Sequence, residues 1–395
     1  MAKTAIVIGG GIAGCATAYA LAQRDLKVTL IEQHHALGQA ASGNPVAMLY
    51  PRLAGLDNLS SFAFAAFEYS LCFYQSLKLP DDVFNACGML QLGFNARELA
   101  RIKKVADIHQ SVKTLHYVNA QEASQLASAE LTHDALFVEN AAWIKPHQLL
   151  AHLTHHKNIS TITSKKVTNL LNSNNIFEIN LDNRENLQSD IVVIASANEA
   201  RNIAQCAHIK TQAVRGQVSF LPATVNSKAL KTIVCSDGYL SPCIDGAHSL
   251  GATFNANSLD LATRLEDHDA NLNILKTLST PLYDTLRTQA ATGRASLRCA
   301  SPDYFPLAGQ LLNAQVLSEK PPRPSASSQS LPWINGLYIN VAHGSRGFTS
   351  APLCAELIAQ SIFNEPPCLA PELISLLNPN RFLLRNLGLK QLAKR

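Results

Sequence analysis

Two hydrophobic rhythms alternate at the start of the chain. Residues 4–8, TAIVI, are a β-branched run ending at Gly9, with the length and composition of a buried strand. Residues 12–24 mix Ile, Ala, Cys, Tyr and Leu as a helix does, and 27–32, KVTLIE, read as a second strand. Together they predict a βαβ unit in about 30 residues. Residues 61–79 predict a helix whose aromatic positions (Phe62, Phe64, Phe67, Tyr69, Phe73, Tyr74) wrap more than one face, as in a helix buried between layers. From 81 to 131 the pattern changes to short strands (GMLQLGF) and polar helices at 96–109 and 120–128, and a second domain is expected to begin.

Further on, 167–171 and 176–181 predict a hairpin turning at 172–175, and DIVVIA (190–195) is an apolar run of the kind buried in a parallel sheet, returning the chain to the first domain. Strands at 213–220, 230–235 and 248–254 and helices over 261–286 resume the second. Residues 318–332 carry four prolines and five serines and read as a surface loop. A strand at 336–341, a glycine-bearing turn at 343–347 and a helix at 351–362 follow, and no repeat of fixed period appears.

The 395 residues are 47% hydrophobic with a mean hydropathy of +0.03, which excludes disorder and fibre and suits two or three domains. Charged residues make up 16% and the net charge is +4, so any nucleic-acid surface must be local. Nine cysteines form no CxxC pair, and an odd, scattered count predicts free thiols in a reducing cytoplasm. The apolar start is interrupted by Gly9, Gly10, Gly11 and Gly14, unlike a signal peptide, and no other run approaches the ~18 apolar residues of a membrane span. His152, His155 and His156 have helical spacing for a metal pair but no acidic or cysteine partner, so a solvated face and no metal are expected.

Gly9, Gly11 and Gly14 form GxGxxG between a strand and a helix, where the backbone can turn tightly and bring a pyrophosphate to the helix N-terminus. Glu32 ends the second strand, placed to accept from adenosine ribose hydroxyls and to repel a 2′-phosphate. Ser42, Gly43 and Asn44 follow soon after, small and amide residues like those lying along a flavin's pyrophosphate and ribityl chain. In GLYINVAHGSRGF (336–348) a strand runs into a turn carrying Gly344, Ser345 and Gly347, then a helix whose N-terminus could stabilise negative charge. Nucleotide-binding elements at both ends imply a long cofactor, FAD, and hence an α/β fold. A Rossmann-type FAD-binding domain (1–80, 145–212 and 333–395) is interleaved with an α+β substrate domain (81–144 and 213–332).

These segments resemble the D-amino-acid-oxidase-like flavoenzymes, which include glycine oxidase, sarcosine oxidase and D-amino acid dehydrogenase. Within them the chain is most similar to the FAD-dependent oxidoreductase domain of the bifunctional enzymes that modify the tRNA wobble uridine. The resemblance is carried by IGGGIAGC (8–15), ASGN (41–44), WIKP (143–146), RGQVS (215–219), GRASLRC (293–299), HGSRGFTSAP (343–352) and NPNRF (378–382). Ala195-Ser196-Ala197 departs from it, standing where Ala-x-Gly is common. Cys299 lies closer to the following Pro-Asp than the flavin-linking cysteine of sarcosine oxidases, so a non-covalent flavin is expected.

The resemblance implies oxidation of an N-substituted glycine. The carboxymethyl group of 5-carboxymethylaminomethyl(-2-thio)uridine would leave as glyoxylate, with tRNA as substrate and a separate or fused methyltransferase acting on the product. It places Arg298 as the carboxylate anchor, through a bidentate fork, and Arg346 beside the flavin. Lys145 and Arg215 are weaker site candidates, with exposed structural charges as the alternative, and His343 is either a flavin contact or a packed, hydrogen-bonded histidine. Arg381, Arg385, Lys390, Lys394 and Arg395, with no acid among residues 381–395, suggest a phosphate-gripping tail. The alternatives are a small-molecule amine oxidase or dehydrogenase acting on glycine, sarcosine or D-amino acids, and a noncatalytic flavoprotein.

Overall fold

A computed structural model describes residues 3–52, 55, 57–323 and 325–394. The chain forms two compact units. One comprises Met1–Gly43, Pro146–Ala213 and Arg298–Arg395, the other Asn44–Lys145 and Val214–Leu297.

The first unit is built on β1 (Thr4–Ile8), α1 (Ile12–Ala22), β2 (Lys27–Ile31), β3 (Ile159–Ile162), β4 (Ile191–Ile194), β5 (Leu307–Leu312), β6 (Trp333–Val341) and α2 (Gly347–Phe363). The six strands lie in the order β5-β6-β4-β1-β2-β3, parallel except for β5 against β6. The apolar runs become central strands because both faces are covered: Ile6, Ile8, Val192, Ile194, Ile339 and Val341 enter one core on one face, while Ala5, Val7, Leu30 and Val193 are buried on the other. The strand order reverses between β1 and β4, the switch point beside which open α/β sheets bind ligands, at the carboxyl ends of the strands.

The expected hairpin forms from Val167–Ser173 and Ile176–Leu181, with Asn186–Ser189 as a third strand. Its two-residue turn, Asn174-Asn175, has φ of 54° and 62°, the left-handed pair that asparagine tolerates.

In the second unit an eight-stranded sheet runs in the order Thr292–Ala300, Gln212–Pro222, Ala247–Gly251, Tyr239–Leu240, Ile233–Cys235, Met89–Leu92, Ala135–Val138, Leu115–Val118. A smaller sheet pairs Ala47–Leu49 and Phe84–Asn85 with Ala142–Ile144.

Two of the expected boundaries shift. The aromatic helix, Asn58–Ser76, belongs to the second unit because Phe64 stacks on His109 at 5.2 Å and Tyr74 packs against Phe84 at 6.0 Å. Residues 298–332 belong to the first, where Cys299, Leu307 and Leu311 enter its core. The helices expected over 261–286 are Leu265–Leu278 and Thr280–Leu286; Ser279 caps the second through Leu282 N and Pro281 opens it. The C-terminal helix begins at Gly347 rather than 351 and carries Pro352 inside it.

Among the described residues no helix is long and apolar enough to cross a membrane. The three histidines make no helical face: Pro146–Thr154 ends before His155, and His156 lies edge-on to Tyr19.

Candidate functional site

The glycine turn follows from close packing. Gly9 sits at φ +111°, where an added Cβ would be 2.7 Å from Ala195 O. A Cβ at Gly14 would stand 1.8 Å from Gly9 O, so only glycine lets α1 approach the end of β1 so closely. Gly11 is different. It is the N-cap of α1, makes no side-chain cap, and its Cβ would meet only Ser42 at 3.1 and 3.9 Å. Helix α1 has no acid in its first turn, so its own side chains do not oppose the positive end of its dipole.

Glu32 and Ser42 shape this turn. One Glu32 oxygen accepts from Gly10 N at 2.6 Å, while the other accepts from His34 N at 2.8 Å and lies 2.6 Å from His34 Nδ1. Ser42 Oγ accepts from Ile12 N at 3.0 Å. Gly43 N donates to Ala40 O at 3.0 Å. Next to Gly9, the hydroxyl of Ser196 is buried without a hydrogen-bond partner. Ala197 keeps φ +49°, holding without glycine a left-handed conformation that costs an L-residue about 1–2 kcal/mol. A side-chain-free N-cap, a helix terminus with no acid in its first turn and an orphaned hydroxyl at the switch point suit a dinucleotide pyrophosphate.

The C-terminal turn meets this one. A Cβ on Gly347, the first residue of α2, would touch Ile12 Cγ2 at 3.2 Å, so the two helices start side by side. Ala342 and Gly344 both have positive φ (65° and 59°), Gly344 N donates to Cys299 O at 2.7 Å, and Arg346 N donates to His343 O at 3.1 Å. Ser345 is exposed.

Beneath the turn lies a polar chain that the sequence had not revealed. His343 Nε2 is 3.0 Å from Asn340 Oδ1, Asn340 Nδ2 donates to Thr17 Oγ1 at 3.0 Å, and Thr17 Oγ1 donates to Ala13 O at 2.7 Å. With Nδ1 2.8 Å from Ser350 Oγ and burial pushing its pKa down to about 3, His343 is neutral and structural. The available signal was an amide inside an otherwise apolar strand.

Arg298 lies half-buried on the strand Thr292–Ala300, next to Cys299, whose carbonyl holds Gly344, and Ala300 bridges to His343. The end of that strand therefore reaches the turn bearing Arg346, the N-cap of α2. Cys299 points into the core, 5% exposed, and burial pushes its thiol up to about 11. Asn44 belongs to the second unit, where its Oδ1 accepts from Arg294 Nη1 at 3.2 Å.

The other cations have structural partners. Lys145 Nζ pairs with Asp245 at 2.8 Å. Arg215, fully buried, donates to Asp267 Oδ2 at 2.5 Å and to the Asp260 and Ala262 carbonyls at 2.6 Å. Arg381 drops out of the expected phosphate-gripping tail. Its Nε and Nη2 clamp the two oxygens of Asp303 at 2.9 and 2.7 Å, and its remaining donors take the Phe305, Pro306 and Asn378 carbonyls. Arg395 lies outside the described residues.

Burial raises the Asp303 pKa, but Arg381 and Ser301 outweigh it and hold the carboxyl below its ordinary value. A depressed carboxylate pKa stabilises the fold above its unfolded value of about 3.9, and that contribution is lost as pH falls through the folded pKa. Arg381→Gln should lower stability by about 2–3 kcal/mol at pH 7, with the difference shrinking below pH 4. Urea titrations at the two pH values measure it, and an equal loss at both would break the assignment.

Comparison with known proteins defines the class. Residues 4–361 match the model of the FAD dependent oxidoreductase family, and the chain belongs to that family, with FAD as its cofactor. Over all 395 residues it is 43% identical to the tRNA 5-methylaminomethyl-2-thiouridine biosynthesis bifunctional protein MnmC of Methylobacillus flagellatus, covering 61% of that protein. It is 37% identical to MnmC of Stutzerimonas stutzeri over 98% of this chain and 60% of that one. The chain thus spans about three-fifths of the length of these curated relatives. Glycine oxidase from Geobacillus kaustophilus has the same fold (TM-score 0.79, 17% identity, covering 96% of this chain and 98% of that one). So does L-proline dehydrogenase from P. horikoshii (TM-score 0.78, 18% identity, covering 96% and 97%).

Proposed function

We propose that this chain removes the carboxymethyl group from 5-carboxymethylaminomethyl(-2-thio)uridine at the tRNA wobble position, giving 5-aminomethyl(-2-thio)uridine and glyoxylate. The observation that carries this is the 43% identity, running through the whole chain, to a bifunctional tRNA-modification protein. The first unit serves as the FAD-binding domain and the second as the substrate domain. The cytoplasm is the expected site of action, and a methyltransferase, fused or separate, would take the amine product.

Gly9 and Gly14 let α1 start close against the end of β1, Gly11 leaves its N-terminus open to the pyrophosphate, Glu32 and Ser42 hold that turn in shape, and Gly344, Ser345 and Gly347 shape the second helix start. FAD, when bound, supplies a two-electron acceptor for the hydride of a C–H bond next to an amine nitrogen. Arg298 fixes the glycine-like carboxylate and so orients the methylene. Arg346 adds positive charge at the helix start, where negative charge accumulates as electrons leave the substrate. The amine proton passes to solvent, and water then adds across the resulting C=N bond, releasing glyoxylate and the primary amine. Because Cys299 is packed in the core, the cofactor is held without a covalent bond.

The test is anaerobic bleaching of the flavin absorbance with modified tRNA, glycine, sarcosine and D-amino acids in parallel. Modified tRNA should bleach it and release glyoxylate stoichiometrically. Bleaching by glycine alone would replace this reading with small-molecule amine oxidation, and no bleaching by any substrate would leave a noncatalytic flavoprotein.

A further inference from the structure

With Arg381 committed to Asp303, the RNA contact must be sought in cations the fold leaves exposed. Leu312, Leu317, Leu331, Leu384, Leu389 and Leu392 form an apolar cluster of their own, joined by Trp333, Leu383 and Leu387. It ties residues 312–333, which include the helix Ala314–Glu319, to the C-terminal helices Arg381–Asn386 and Lys390–Lys394.

Four exposed cations ride on this cluster. Lys320 stands one turn beyond Leu317, Arg385 follows Leu384 and Lys390 follows Leu389, while Arg323 occupies the turn closed by Ala326 N to Arg323 O at 2.9 Å. The cluster packs together two segments over 60 residues apart in sequence, each carrying two exposed cations. Arg385 lies over the Phe382 ring at 5.1 Å, which steadies the guanidinium without neutralising it. The acids on these segments are few: Glu319, which accepts from Gln315 at 2.9 Å, and Glu372 on the neighbouring helix Pro371–Leu377.

The charge balance agrees. The first unit holds eighteen Lys and Arg against twelve Asp and Glu, the second fifteen against seventeen. The rival basic stretch, the helix Ala96–Ile108, sits on the net-acidic unit, carries Asp107, and spends Arg101 on Glu98 at 2.6 Å.

We infer that the face carrying Lys320, Arg323, Arg385 and Lys390 binds RNA backbone phosphates and is where the first unit receives its tRNA. The identity of the RNA rests on the function proposed above; the phosphate contact does not.

The test uses full-length, FAD-loaded protein and an unmodified tRNA transcript, with affinity measured across a series of KCl concentrations. The variant K320Q/R323Q/R385Q/K390Q should bind at least about tenfold more weakly at ~0.1 M salt. The slope of log affinity against log salt should fall by roughly 0.7–0.9 for each phosphate that is no longer neutralised. Since all four side chains are exposed, its melting temperature should match wild type, and bleaching by the free modified nucleoside should be unchanged. Wild-type affinity and slope in this variant, or weakened binding in K103Q/K104Q on the rival helix instead, overturns the inference. Wild-type protein that binds the transcript but is not bleached by the modified nucleoside would sink the proposed reaction and leave this face standing.

Discussion

Gly14→Ala should give a protein that purifies without flavin and melts well below wild type. The methyl group would be placed 1.8 Å from the Gly9 carbonyl oxygen, far inside the 3.4 Å at which ordinary contact begins, and neither neighbour can yield. Gly9 is itself wedged against Ala195 and Ser196, while α1 is buried at ten of its eleven positions. The helix must therefore back away from the end of β1, at about 3 kcal/mol, the upper end of what overpacking costs. That displacement carries Gly11, Ile12 and the Ser42 contact with it, and FAD retention fails together with stability.

Gly11→Glu separates the two effects. Its Cβ meets only Ser42, so the fold should survive, yet a carboxylate would stand where the pyrophosphate must lie, and flavin should again be lost. The ratio of flavin absorbance to protein, measured beside the thermal transition, distinguishes the variants. A Gly14→Ala protein with full flavin and unchanged melting would show that close packing of α1 on Gly9 does not set the site.

What could be read from the sequence was set by local periodicity. The βαβ unit, the Asn174-Asn175 hairpin and the turn before α2 each lie within some 30 consecutive residues, and glycine and asparagine announce the positive φ values they need. What could not be read was set by distant partners. Helix Asn58–Ser76 is aromatic on several faces, so its own pattern leaves open which unit it joins, and the stack of Phe64 on His109, 45 residues away, decides it. Arg381 looked like a free cation in an acid-poor tail, but its carboxylate stands 78 residues upstream. Ala197 and Ala342 show the same limit from the other side. Both adopt left-handed φ without a glycine to advertise it, because neighbouring strands dictate the backbone path.

Arg298→Ala should slow flavin reduction by modified tRNA roughly 10- to 150-fold, the loss of a charge-assisted pair worth about 1.5–3 kcal/mol. FAD content and tRNA affinity should stay near wild type. Arg298 and Cys299 alternate on one strand, so the thiol that enters the core sends the guanidinium to the opposite face. Cys299 O in turn holds Gly344 beside the start of α2. Removing the arginine therefore withdraws a cation without disturbing the backbone contacts that shape the turn.

A structural role would predict something else: lower melting temperature, lost flavin and equal slowing with every substrate. The carboxylate role predicts that the penalty vanishes for an N-methyl analogue lacking the carboxylate, which both proteins should oxidise at similar, slow rates. Arg298→Lys should recover only part of the rate, since an ammonium cannot form the bidentate fork. If Arg298→Ala reduced its flavin at the wild-type rate with modified tRNA, the anchor would have to be sought elsewhere. The first place to look is Arg294, four residues back on the same strand and so on the same face, where burial lowers its pKa and strips away the water that would otherwise screen a carboxylate.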